Sequence, residues 1–141
     1  MNLRFRTILV ASLAFASLAS IEADSDAHHS FAMFDFAKTA TFKAQVKEYQ
    51  WTNPHVLLFF SVDPAKEGDP RPVWWAELTS PGNLTRVGWS KRSFKASEPI
   101  EVTIHPLRDG TQGGAFKEAK RLETGEVLTS NLREAEKPGL R

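Results

Sequence analysis

The chain predicts a mainly β fold, a small five-stranded barrel with one short helix between strands 3 and 4. Three observations lead there. Apolar residues recur with a period of two along most of the chain, a single segment carries helix signals, and that segment follows the third of five strand-like runs. The 141 residues include no cysteine. An apolar core must therefore hold the fold without disulfides, and thiol chemistry, iron–sulfur clusters and thiolate metal sites are excluded.

The first strand is expected over residues 39–50, where Ala40, Phe42, Ala44 and Val46 share one side and Thr41, Lys43, Gln45 and Lys47 take the other. Its length suits a bent strand that serves both halves of a barrel. Thr52, Asn53 and Pro54 break it, because proline donates no ladder hydrogen bond and restricts the residue before it. The run 56–62 is apolar on both faces, as in a strand covered by the core on one side and by something else on the other. Pro64, Gly68, Asp69, Pro70 and Pro72 mark an exposed connection over 63–72. The chain returns as a strand over 72–78, with Trp74, Ala76 and Leu78 on one face and Val73, Trp75 and Glu77 on the other.

The helix is expected over 80–88. Ser80 is a good N-cap, Pro81 suits the first turn, Leu84 and Val87 fall three apart, and Gly88 can close the end. A fourth strand over 99–105 turns Ile100, Val102 and Ile104 inward. A weaker fifth lies over 115–122. Arg108, Asp109 and Gly110 form a turn between them, and Gly113 and Gly114 frame the same link. A tight turn at residues 123–126 precedes a short extension over 127–129, and the charged stretch 131–141 reads as a loose tail. Three strands, a helix and two strands are the order of an OB-like β-barrel; a small open sandwich is the competing arrangement.

The N-terminal stretch reads as a cleavable export signal. Arg4 and Arg6 precede an apolar run over 8–21, and Ser25 and Ala27 occupy the −3 and −1 positions of a small-x-small cut site. Cuts after Ala19 or Ala23 are alternatives. The run is shorter than the roughly 20 residues of a membrane span. The expectation is a signal peptide over 1–27, one domain over 28–130, a periplasmic location and no stable membrane span after processing. The whole chain carries 18 Lys+Arg and 17 Asp+Glu. Losing Arg4, Arg6, Glu22, Asp24 and Asp26 with the signal leaves the domain near neutrality, which speaks against a nucleic-acid partner.

A cut after Ala27 makes His28 the first residue. Its amine, backbone nitrogen and imidazole then form one chelate with His29 alongside, and His55 could add a third nitrogen. Nitrogen-rich, low-coordinate sites suit copper first, with nickel or zinc behind. A cut one residue earlier would leave histidine third and create a different amino-terminal chelate. The plainer alternative is that His28 and His29 form a solvated N-terminus, that His55 caps the entrance to its strand, and that His105 sits on the surface. The rival site is aromatic. Trp51, Trp75 and Trp89 do not all fit core faces, and Trp51, Asn53, Trp75 and Glu77 could line a ligand face for a glycan, a quinone or a peptide; alternatively the tryptophans cover the barrel end. No nucleophile turn, phosphate loop or HExxH run is present, so carriage or sensing is favoured over turnover. Asp35, Glu48, Glu77 and Glu101 are read as solvated strand carboxylates. The partner would be an envelope protein or a small ligand.

Taken in order, Ala27-His28-His29-Ser30-Phe31, Trp51-Thr52-Asn53-Pro54-His55, Ser80-Pro81 leading to Gly88-Trp89, and Pro106-Leu107-Arg108-Asp109-Gly110 resemble the exported bacterial proteins grouped as domain of unknown function 6152. The resemblance spans residues 27–122. It implies an envelope-exported OB-like barrel and brings no activity with it. One departure is the turn Ala96-Ser97-Glu98-Pro99, where a glycine is expected; the other is the tail, which lies outside the resemblance.

Overall fold

A computed structural model describes residues 32–130. The signal segment, His28, His29 and the tail lie outside the described residues. Strands β1 (Ala40–Gln50), β2 (Leu57–Val62) and β3 (Val73–Glu77) are followed by helix α1 (Pro81–Arg86) and by β4 (Pro99–Pro106), β5 (Gly113–Arg121) and β6 (Val127–Thr129). β1 pairs with β2 and β4, β2 with β3, and β4 with β5, all antiparallel. A parallel pairing of β3 with β5 closes the ring. The order β1-β2-β3-β5-β4 with a helix between the third and fourth strands is the predicted OB-like barrel. β6 pairs antiparallel alongside Glu118–Lys120 of β5, past the residues of β5 that meet β3.

The predicted inward residues fill the barrel. Leu58, Phe60, Ala76, Ile100, Val102 and Ile104 are fully buried, and Phe42 packs its ring 4.6 Å from Trp74. α1 closes one end. Its N-cap Ser80 accepts a hydrogen bond from Asn83 N, Pro81 begins the helix, and Leu84 is the buried residue it carries. Gly88 has φ +88°, the left-handed geometry expected at this helix end. Trp89 then turns in to meet Phe94 and Phe116 edge-on at 5.8 and 5.6 Å. Trp89 is thus structural, as the plainer reading of the tryptophans has it.

Two features of the strands depart from the simple alternation. A bulge between Val46 and Glu48 inserts one residue, so Val46 faces Phe60 while Glu48, not Lys47, faces Phe59. Side-chain parity flips there. Tyr49 consequently packs toward the core, and Glu48 and Gln50 share the outer face. In addition, Gly113 and Gly114 do not belong to the link: they are the first two residues of β5, at the place where β3, β4 and β5 meet.

Tyr49 packs 5.3 Å from Phe94, and its hydroxyl is buried with no hydrogen-bond partner among the described residues. Burial pushes its phenol well above the ordinary value of 10. Because the folded-state pKa is the higher one, the stability contributed by the neutral phenol is complete below pH ~10 and is lost as the pH rises past it. Tyr49→Phe should gain about 1 kcal/mol at neutral pH by removing the unsatisfied hydroxyl. It should also abolish the part of the alkaline stability loss that begins near pH 10. Urea melts of both proteins at neutral and at alkaline pH check each half.

In the connection from α1 to β4, Ser97 has φ +65° and is the one non-glycine residue with positive φ among the described residues. The turn that lacks its expected glycine therefore adopts the glycine conformation anyway. Ser97 N donates to Val46 O at 2.8 Å, which ties the turn to the bulge in β1. Ser97→Gly should stabilise by about 0.5–1 kcal/mol, as relief of the Cβ clash outweighs added chain entropy. The midpoint of a urea melt reads this directly.

Ahead of β1, residues 33–38 run beside the end of β4. Phe34 bridges to Leu107, Asp35 N donates to Pro106 O at 2.8 Å, and Arg108 N donates to Met33 O at 2.9 Å. His105 does more than sit on the surface. Its Nδ1 donates to Lys38 O at 2.8 Å and its ring lies 5.1 Å from Phe36. Asp35 pairs with Lys38 at 3.2 Å, and Lys38 holds the Asp35 carboxyl below its ordinary value.

Candidate functional site

With Leu58, Phe60 and Ala76 turned into the barrel, their neighbours must face out. Strand register then arranges the outer residues of β1, β2 and β3 in two rows. Glu48, Phe59 and Trp75 form one, and Gln50, Leu57 and Glu77 form the other. The bulge in β1 makes this possible, since without it Lys47 and Tyr49 would hold the outer positions. Leu57, Phe59, Trp75 and Glu77 are all half-buried. This is the sheet face on which OB folds bind ligands.

Trp75 lies directly over Gly113. A Cβ at that glycine would come within 2.3–2.7 Å of three indole atoms. The indole therefore rests against bare backbone across the β3–β5 seam, and Phe34 meets it edge-on at 6.4 Å. Rings held this way have little rotamer freedom left to lose when a ligand stacks on them.

The polar groups of the array are mutually engaged. His55 Nδ1 lies 2.8 Å from Glu77 Oε1, and Gln50 Nε2 donates to Glu48 Oε1 at 2.8 Å. The first pair comes from the β1–β2 loop reaching β3. No sequence spacing would reveal it, because 22 positions separate the two residues. Glu77 is about one-fifth exposed and His55 about one-third.

The structure thus brings Trp75, Glu77 and His55 together. It does not bring in the other two predicted ligand residues. Trp51 packs against the core beside Tyr49, with ring centroids 6.0 Å apart, and Asn53 is exposed in the β1–β2 loop, where its bond to Pro54 is cis. Phe59, Glu48 and Gln50 are the residues that sequence reasoning missed. Phe59 was signalled by the two-faced apolar run of β2, whereas the other two depend on the bulge. Among the described residues no group of three or more His, Asp or Glu is placed to hold a metal, and no helix is long and apolar enough to cross a membrane.

Two surface hollows lie elsewhere, one of about 230 Å³ beside Phe36 and His105 and one of about 450 Å³ between Arg92 and Glu123. Neither contains a residue of the array.

No curated protein and no solved structure matches this chain. The profile of a family does: residues 14–117, well over half of the sequence, match the family of unknown function DUF6152, and the protein belongs to that family.

Proposed function

We propose that this protein is an exported, periplasmic binding module that takes its ligand on the outer face of β1–β3. The observation that carries the reading is the registered array, in which Phe59 and Trp75 lie side by side within a rim of Glu48, Gln50 and Glu77. Export is supported by the basic start, the apolar run and the small residues at Ser25 and Ala27. The four tryptophans provide the test, since each gives one indole Nε1–H signal in a nitrogen-15 correlation spectrum. Titration with oligosaccharides, a soluble quinone analogue and a mixture of short peptides should shift the Trp75 signal and leave Trp89 in place. If no probe moves Trp75, the face is not a ligand site.

One observation favours copper as well. Glu77 on His55 Nδ1 leaves Nε2 as the lone-pair nitrogen, the arrangement by which carboxylates orient metal-binding histidines. With His28 and His29 at a mature N-terminus, His55 is the nitrogen that the barrel offers. Denaturing and native masses of the periplasmic protein, taken after one equivalent of copper(II), should show a chain starting at His28 that retains one metal. His28→Ala with His55→Ala should weaken copper binding at least tenfold and leave the metal-free melting temperature unchanged. A chain starting at Asp24 or Ser20 with no retained copper would end this reading.

A further inference from the structure

We infer that the hollow between the α1–β4 connection and the β5–β6 turn binds a small zwitterion, a molecule such as a free amino acid or a short peptide that carries one ammonium and one carboxylate. The inference is independent of the outer-face reading, because no residue of that face lines the hollow.

The two segments are locked together where they meet. Leu122 N donates to Pro99 O at 3.0 Å. The Arg121 guanidinium, about one-sixth exposed, donates to Glu98 and to Ser93 O on the connection and, through Nε at 2.7 Å, to Glu126 Oε2 on the turn. It also lies 5.7 Å from the centre of the Phe94 ring. Charge-assisted bonds to both segments hold the hollow in shape, so a ligand does not have to order its walls. Its volume of about 450 Å³ falls within the roughly 300–1,000 Å³ of small-molecule sites, whereas the 230 Å³ hollow beside His105 falls short.

The lining charges select the ligand class. Arg92, Lys95 and Arg121 are balanced in number by Glu98, Glu123 and Glu126. Arg121 is engaged by two of those glutamates, whereas Arg92 and Lys95 on the connection and Glu123 on the turn form no ion pair among the described residues. Cations from one segment and a carboxylate from the other thus border the same space without meeting. A pure anion would face as many carboxylates as cations, and a pure cation the reverse. An apolar ligand would take water from charged groups and offer nothing in its place.

One molecule with both charges pairs with each segment at once, its carboxylate with Arg92 and Lys95 and its ammonium with Glu123. Ser97, with φ +65°, lines the same hollow. Non-glycine residues in the left-handed region recur at ligand clamps, and this one sits in the turn that ties the connection to β1.

The test titrates the full chain, labelled with nitrogen-15, with glycine, glutamine and triglycine, and with acetate and methylammonium as probes of single charge. The expected result is a saturable shift of the Ser97 and Thr124 amide signals with at least one zwitterion, weakened by added salt and absent with either single-charge probe at the same concentration. A response to triglycine and not to the amino acids identifies the source as a peptide, and the reverse as a free amino acid. Arg92→Gln with Lys95→Gln, and separately Glu123→Gln, should each weaken binding about fivefold without moving the melting temperature, since all three side chains are exposed. Trp75→Phe should leave it unaltered, which keeps this result apart from that of the outer face. If acetate or methylammonium shifts the same signals as strongly as the zwitterions do, the ligand class is wrong. If none of the probes moves Ser97 or Thr124, the hollow is solvated surface and the inference falls.

Discussion

Gly114→Ala should remove most or all of the fold's stability. A Cβ at this position would sit 2.3 Å from the carbonyl oxygen of His105 and 2.9 Å from Ile104 Cδ1. The first of these is backbone, held in the β4–β5 ladder where Pro106 faces Gly114, so no rotamer change relieves it. Gly114 also faces Ala76 in the parallel pairing that closes the barrel. Moving β4 away from β5 therefore opens the seam on which the ring depends. We expect a loss of about 3 kcal/mol or more, the upper end for an overpacked core, against a total of about 5–15 kcal/mol for a small domain. The melting temperature should fall by about 15 °C, or the variant should fail to fold. Gly82→Ala is the control. Its Cβ would meet nothing nearer than Ser80 Oγ at 4.0 Å, in a helix where alanine is the better residue, so a thermal melt should show no loss.

Gly113→Ala should be the second most damaging change, with a different signature. Its Cβ would meet Trp75 Cε2 at 2.3 Å and Nε1 at 2.5 Å, and a side chain can swing away where backbone cannot. We expect a cost of about 2 kcal/mol, together with a shifted Trp75 indole signal and loss of any ligand held on the face. A double-mutant cycle isolates the cause. In a Trp75→Ala background the same Gly113→Ala change should cost less than about 0.5 kcal/mol, because the atoms it collides with are gone. An equal cost in both backgrounds would mean that the glycine serves the strand and not the tryptophan.

These neighbouring glycines show where sequence reasoning stops. Each is required by what lies across from it, Trp75 outside the barrel and the β4 backbone inside. Both partners are remote in the chain, and a pair of adjacent glycines reads locally as a link. The bulge in β1 is a similar case. Alternation from Ala40 to Val46 correctly places four residues toward the core, but one inserted residue leaves the period intact on either side while exchanging the faces. Glu48 and Gln50 thereby joined the candidate face, and Tyr49 left it. His105 looked like a surface residue because its anchor, the Lys38 carbonyl, belongs to a segment with no strand pattern of its own.

Local features were legible for local reasons. Strand faces follow from a two-residue period, the start of α1 from Ser80 and Pro81, its end from Gly88, and the order of elements points to an OB-like barrel. Those signals act over a few residues, through backbone dihedrals and through which side chains water rejects. Tertiary structure alone decided the β3–β5 closure, the meeting of His55 with Glu77, and the seating of Trp75 on Gly113. Each joins residues from different strands or loops, and such contacts form only once the ring has closed and set the register between strands.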